Sequence, residues 1–277
     1  ILSIELNDKT DVLENYFQVD LRFNTVDSMG ANFINSCLEK IAKSIKSLSS
    51  KSDLINENNI DIIMSILSNY VPNCLVKTWV SCPVNELNED NDLSANKFAK
   101  RFIQAVKISE VDPYRAVTHN KGIMNGIDSL AMATGNDFRA IEAGVHAYAS
   151  RNGSYSGLTK ASIKDGIFTL ELTIPLSIGT VGGLTNLHPL VKWSLELLNN
   201  PNSKELMKII GVAGLAQNFA AIRSLVTSGI QKGHMKMHLL NILNQLKVKQ
   251  EVKLKAIEYF KKNTVSHKEV EKFLKTL

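Results

Sequence analysis

The spacing of apolar and polar positions changes several times along the chain, and each change predicts an element. Residues 1 to 7 and 16 to 25 (YFQVDLRFNT) alternate apolar with polar side chains, which predicts two strands able to pair antiparallel across a polar loop around Asn7 to Asp11. In TVDSMGANFINSCLEKIAKSIKSL the period becomes helical. Met29, Phe33, Ile34, Leu38, Ile41, Ile45 and Leu48 form one stripe, and Asp27 and Ser28 stand where they can cap it. A polar linker (47 to 60) leads to a second helix expected from about Ile60 to Asn69, ended by Val71 and Pro72. CLVKTWVSCPV (74 to 84) alternates as a third strand. This order predicts an α+β unit of two strands, two helices and a strand, with the helices on one sheet face.

Beyond the acidic, Asn-rich loop Asn85 to Asp92, a basic helix turns Phe98, Phe102, Ala105 and Val106 inward. It delivers the chain to VDPYRAVTHNKGIMNGIDSLAMATGNDFRAIEAGVHAY (111 to 148). This stretch sets Arg115, His119, Lys121, Asn125, Asp128, Asp137, Arg139, Glu142 and His146 among residues that otherwise read as core. Asn120, Gly122, Asn125 and Gly126 predict a rigid turn carrying Lys121. Thr134 to Asp137 predict a second turn, ending in a carboxylate that opens a new helix. Lys121 and Asp137 are then partners on neighbouring turns; the competing reading is an ordinary solvated face.

From Tyr155 the pattern is again of strand type. Asp165 and Gly166 between two extended runs are a strong hairpin signal, and Pro175 ends the second run. LSIGTVGGLTNLHP gathers Gly179, Gly182 and Gly183, as a turn or as a backbone cradle for a ligand. GVAGLAQNFAAIRSLVTSGIQKGHMKMH reads as a helix with a small-residue surface, interrupted at Ser228 and Gly229, with a short turn from Gln231 to His234. Residues 240 to 277 are Lys-rich helices whose stripe is Leu240, Leu243, Leu246, Val248, Leu254, Ile257, Phe260, Phe273 and Leu274. They suit a terminal cap or a mobile lid.

Composition narrows the class. With 277 residues and 44% apolar content the chain can bury a substantial core in one large or two modest domains. No run of about 18 uncharged apolar residues is present, so no membrane span is expected. Ile209 to Val226, with Gln217, Asn218 and Arg223, reads as a buried helix. The first residues resemble a strand inside a domain rather than a secretory signal. Cys37, Cys74 and Cys82 are an odd set without CxxC spacing, which argues against a disulfide framework or zinc site and for a reducing, cytoplasmic setting with buried thiols. A net charge of +5 and pI ≈ 9.0 suit a polyphosphate-bearing ligand, nucleic acid or an anionic surface. The lysines are scattered and lack interleaved aromatics, which argues against nucleic acid.

DPYRAVTHNKGIMNGIDSLAMATGNDFRAIEAGVHAYA resembles the catalytic segment of the 3-hydroxy-3-methylglutaryl-coenzyme A reductases, specifically the class II, bacterial-type enzymes. VDSMGANFIN resembles that family's cofactor loop and IGTVGG its glycine signature. AGLAQNFAAIRSLVTSGIQKGHM resembles the helix leading to its catalytic histidine, and the Lys-rich tail its flap. The resemblance implies a ferredoxin-like nicotinamide-binding domain over 1–85, N-terminally incomplete, a catalytic large-domain portion over 86–234 and a helical flap over 235–277. It implies Lys121, Asp137 and His234 as catalytic residues, and Arg115 and Asn125 at the substrate. Asp27, Met29, Gly30, Asn32 and Gly182 are implied at NADH or NADPH. The implied substrates and products are hydroxymethylglutaryl-CoA, mevalonate and coenzyme A, and the implied assembly is a homodimer or larger homo-oligomer without membrane or nucleic acid. The family's catalytic glutamate, carried on an N-terminal segment, has no counterpart here. The chain is therefore expected to be a C-terminal portion, with an inactive cofactor- or CoA-holding module as the alternative.

Overall fold

The computed structural model describes residues 1–51, 60–87, 93–185, 187–227, 229–260 and 263–276, and for 230–237 the backbone only. Its main sheet is built on β5 (Ile167–Pro175), where every second side chain is apolar and Phe168, Leu170, Leu172 and Ile174 are at most 1% exposed. Burying each such side chain contributes about 1.5–3 kcal/mol, so this strand takes the centre. β4 (Thr159–Lys164) pairs with it as a hairpin across Asp165 and Gly166, both at positive φ, as the sequence predicts.

β3 (Leu75–Pro83) flanks β5 on the other side, so the sheet order is β3-β5-β4, antiparallel throughout. This corrects the expected unit of two strands, two helices and a strand. β1 (Ser3–Asp8) and β2 (Phe17–Arg22) pair antiparallel as expected, with Leu6 opposite Val19, but form a separate two-stranded sheet. Alternation shows that 74–84 is a strand, yet carries no information about which strand it joins. The α+β class holds.

α1 (Ala31–Ser49) follows the first sheet as predicted. The second expected helix is not formed: 60–69 is irregular. There the Leu67 amide donates to Asn35 Oδ1 of α1 at 3.0 Å, and the Asn69 carbonyl lies 2.6 Å from where a Cβ on Gly144 would sit. A ten-residue run is too short to form a helix on propensity alone, and here Ile63, Met64 and Ile66 are exposed.

α2 (Ala95–Val111) buries Phe98, Phe102 and Val106, with the Phe102 ring edge-on to Phe168 at 5.4 Å between centroids. α3 (Pro113–Ala133) starts where Asp112 accepts from the Tyr114 amide and Pro113 occupies the first turn. It then runs unbroken through Lys121, which corrects the expected rigid turn. Gly122 and Gly126 do not bend α3; they open its inner side to α6 (Ser203–Val226). A β-carbon on Gly126 would stand 2.5 Å from the Ala213 carbonyl oxygen, while one on Gly122 would find only ordinary contacts at 3.7 and 3.8 Å. By length and composition alone α6 is apolar enough to cross a membrane; in this fold it packs between α3 and β3, with the Thr78 hydroxyl donating to Gly211 O at 3.3 Å.

α4 (Phe138–Ala149) and α5 (Pro189–Leu197) complete the main body. α7 (Ile230–Gln245), α8 (Gln250–Tyr259) and α9 (His267–Leu274) enclose a separate small core of Leu239, Ile242, Leu243, Ala256, Phe260, Val265 and Val270. Of the expected stripe, Leu243 and Phe260 are buried and Leu254 is exposed.

The α3–α6 contact predicts opposite outcomes for two like substitutions. Gly126→Ala lowers stability by about 2 kcal/mol or more, because backbone must give way. Gly122→Ala is neutral or gains up to about 1 kcal/mol of helix propensity. Chemical denaturation checks both, and equal destabilisation of the two variants contradicts the packing.

Candidate active site

The inner face of α3 carries polar groups that lock it in place. His119 and Asn120 are fully buried. Asn218 of α6 donates from Nδ2 to the His119 carbonyl at 3.2 Å, which fixes its Oδ1 as the acceptor of the Thr159 hydroxyl at 3.2 Å. Thr159 has no second proton, so at 2.6 Å it must accept from His119 Nε2. Among the described residues His119 Nδ1 is then a bare, buried lone pair without a partner. Protonating it would bury an unpaired N–H, and burial, with the Arg115 charge adding, holds His119 down to about 4. Asn120 pins the loop beyond α4, accepting from the Leu158 amide at 3.0 Å and donating to Ser156 O at 2.9 Å.

The outer face of α3 presents Lys121, Asn125 and Asp128 at spacings of four and three. Lys121 and Asn125 are exposed, and among the described residues no carboxylate is in ion-pair range of Lys121. Arg115, half-buried, is drawn below the usual guanidinium range by burial, with Asp112 opposing. Asp128 is pushed up to about 6 by burial and then by the charge of, and a hydrogen bond with, the facing Glu142 carboxyl of α4, and among the described residues its Oδ1 is buried without a partner.

α3 ends in a Schellman motif at Gly135 (φ 71), with Asn136 N to Ala131 O at 2.8 Å and Gly135 N to Met132 O at 3.1 Å. Asp137 follows as the N-cap of α4, its Oδ1 accepting from the Arg139 and Ala140 amides at 3.1 and 3.2 Å. The turn expected at 134–137 is thus observed. The pairing of Asp137 with Lys121 within one chain is not. Twelve residues of helix, about 18 Å of axis, separate Lys121 from the end of α3.

The loop at 27–30 and the glycine loop lie against each other. Thr180 and Val181 amides donate to Asp27 O at 2.8 and 3.3 Å, and a β-carbon on Gly179 would stand 2.5 Å from Met29 N. Asp27 does not cap α1, as the sequence suggests; its Oδ1 accepts from the Ser203 amide at 2.8 Å and anchors α6. The N-cap of α1 is Gly30 (φ 83), with no side-chain cap, which leaves first-turn N–H groups without a side-chain acceptor. Gly182 (φ 82) has open space where a side chain would be, and Asn32 is exposed on the first turn. A crevice of about 60 Å³ beside this loop is lined by Met29, Ile34, Ile141, Gly144 and Pro175 among others. Backbone donors at a helix start and an open glycine turn suit the phosphates of a dinucleotide, whereas the crevice is well below the roughly 300–1,000 Å³ of a ligand pocket. Met29, Gly30, Asn32 and Gly182 lie on these two loops and the helix start beside them, while Asp27 acts as scaffold through the Ser203 amide.

His234 lies in α7, which begins at Ile230 after Gly229 (φ 80), so the expected short turn is helix; its side chain lies outside the described residues. Ser228 is likewise outside them. The three cysteines are free; Cys37 and Cys82 are half-buried and Cys74 is exposed, rather than fully buried as expected. Thr159, Asn218 and the bridging role of Asn136 were not legible as site residues. For Asn218 a signal existed: it shares the inward stripe of Gly211, Gly214, Leu215 and Ile222, and a polar residue on such a stripe needs partners.

The two shifted groups act on stability with opposite sign. Between about 4 and the unperturbed value of about 6.5, the unfolded chain binds more protons at His119 than the folded one, so stability falls as pH is lowered. Asp128 takes up its proton near 6 in the fold and near 3.8 unfolded, so its contribution falls as pH rises through that window. Asp128→Asn removes the second effect. In urea denaturation the variant gains over the parent at pH 7 and loses more stability than the parent between pH 6.5 and 4.5. Identical pH slopes contradict these assignments.

Residues 3–239 match the family model described as hydroxymethylglutaryl-coenzyme A reductase. The chain is 37% identical over 225 residues to 3-hydroxy-3-methylglutaryl-coenzyme A reductase of Archaeoglobus fulgidus, covering 81% of this chain and 48% of that protein. A probable 3-hydroxy-3-methylglutaryl-coenzyme A reductase of Borreliella burgdorferi is 36% identical over 235 residues, covering 85% and 52%. The chain spans about half the length of these relatives. The class II reductase of Streptococcus pneumoniae, solved bound to NADPH in open conformations, superposes with TM-score 0.66 at 41% identity over 76% of this chain and 54% of that one. A further structure of the Streptococcus pneumoniae reductase gives 0.67 at 36% identity, covering 94% and 59%. The chain belongs to the hydroxymethylglutaryl-coenzyme A reductase family.

Proposed function

We propose that this chain carries the cofactor loops and most of the catalytic side chains of an enzyme that reduces hydroxymethylglutaryl-CoA to mevalonate and coenzyme A with two NADH or NADPH, or runs the reverse. The observation that carries the reading is the meeting of two sequence-remote motifs, 27–30 and 179–182, beside the turn that ends in Asp137. The NADPH-bound relative supports the cofactor class.

Each reduced nicotinamide, when bound, would supply one hydride, the first molecule to the thioester carbonyl and a second molecule to the aldehyde that follows. Everything else falls to side chains. Lys121 stabilises the oxyanion as the thioester becomes a thiohemiacetal. His234 gives a proton to the departing coenzyme A thiolate as that intermediate collapses to mevaldehyde, a role suited to a group titrating near neutrality. Asp137 holds and tunes the Lys121 proton that reaches the aldehyde oxygen in the second reduction. Arg115 clamps the free carboxylate of the substrate with its planar fork, and Asn125 orients Lys121 from the next turn of α3.

The length of α3 between Lys121 and Asp137 supports a homodimer in which Lys121 of one chain meets Asp137 of the other. The free cysteines support a reducing, cytoplasmic location. We assign cofactor binding to 1–85, with β3 lent to the main sheet, catalysis to 86–234 and a closing flap to 235–277, where α7–α9 keep their own core.

The test is substrate-dependent oxidation of NADPH by the intact protein. Lys121→Ala lowers kcat by at least about 10²–10³-fold, the scale of one lost oxyanion donor, with the fold unchanged. Undiminished turnover in that variant contradicts the role of Lys121, and no cofactor oxidation by the unaltered protein contradicts the reductase reading.

A further inference from the structure

One side chain ties the turn before Asp137 to the loops at the cofactor site. Asn136 Oδ1 accepts from the Gly179 amide at 2.8 Å, while its Nδ2 donates to Thr134 Oγ1 at 3.1 Å. Its orientation is unambiguous, because the backbone N–H of Gly179 can only donate. The Asn136 backbone amide is already used in closing α3, so the residue can move little. Among the described residues no other hydrogen bond joins 134–137 to the glycine loop. Gly179 in turn transmits position without slack. There is no room for a β-carbon between it and Met29 N or Asp27 O, and the next amide, of Thr180, donates to Asp27 O. The chain of contact runs from Asp137 through Asn136 and Gly179 to the start of α1.

We propose that Asn136 is a positioning residue whose amide oxygen sets the spacing between Asp137 and the loops 27–30 and 179–183, so that nicotinamide affinity depends on it. This rests on the reductase reading. Asn136 itself need not touch the cofactor. Without its oxygen the amide of the buried Gly179 is left unpaired, and the glycine loop is free to drift from the Asp137 turn. Asn136→Asp keeps an acceptor in the same place; Asn136→Ala does not.

The experiment is a fluorescence titration of the intact protein with NADPH, alongside exchange of the Gly179 amide proton and a thermal melt, for the parent and both variants. Asn136→Ala is expected to bind about 3- to 10-fold more weakly, the scale of one net hydrogen bond, with faster Gly179 exchange. Asn136→Asp is expected to restore both. If the alanine variant does not melt cooperatively, the aspartate variant still has to bind as the parent does. Parent-like binding by a folded Asn136→Ala, or weak binding by Asn136→Asp with Gly179 still protected, overturns the inference and leaves the reductase reading standing. A parent protein that binds no NADPH overturns both.

Discussion

The close contact between α3 and α6 is the constraint on which the rest depends. Gly126 admits the Ala213 carbonyl where a side chain would otherwise stand, and Gly214 admits Ile123 and Ile127 from the other side. At that separation buried polar groups need protein partners: Asn218, Thr159 and His119 Nε2 pair with one another, Asn120 pairs with the loop at 156–158, and His119 Nδ1 stays a bare lone pair among the described residues. An unmatched group here costs about 1–3 kcal/mol. The network therefore fixes the rotation of α3 about its axis as well as its distance from α6.

That fixed rotation decides what the outer face of α3 presents. With His119 and Asn120 held inside, Lys121 and Asn125 have to face outward, and Asp128 has to meet Glu142 at the edge of α4. The same helix, by its length, keeps Lys121 away from Asp137. Asp137 instead lies beside the loops at 27–30 and 179–182, to which Asn136 and Gly179 connect it. The chain thus divides its chemistry between two places: a cation on a rigid helix face, and a carboxylate beside an open glycine loop and an uncapped helix start.

Much of this was legible in the sequence, and the failures have identifiable causes. The 165–166 hairpin, the strand at 74–84, the helix α1 and the Thr134–Asp137 turn follow from local chemistry, and the structure agrees with each; the expected stripe of α1 is not buried, with Phe33 and Leu48 exposed. Several expectations failed because local pattern does not report distant partners, the sheet partner of 74–84 among them. Gly122 and Gly126 looked like turn residues but serve helix packing, since glycine next to asparagine reads the same in either setting. Residues 60–69 have helical composition, but the Leu67 amide is bound by Asn35 of α1 and the Asn69 carbonyl comes close to Gly144 of α4. Asp27 looked like a cap for the helix that follows it, yet its acceptor role is spent on Ser203, far along the chain. The site residues taken from motif resemblance are those that solvent-facing chemistry needs. Missing from them were Thr159, Asn218 and Asn136, which contact only protein.

The separation of Lys121 from Asp137 can be tested without a further structure. Lys121→Ala and Asp137→Ala chains, each inactive alone, are co-expressed and assayed for hydroxymethylglutaryl-CoA-dependent NADPH oxidation. In a two-fold dimer whose sites take the lysine from one chain and the aspartate from the other, random assembly restores about a quarter of the parent activity. Mixed protein that shows association of the two chains but no activity above either variant alone contradicts the account.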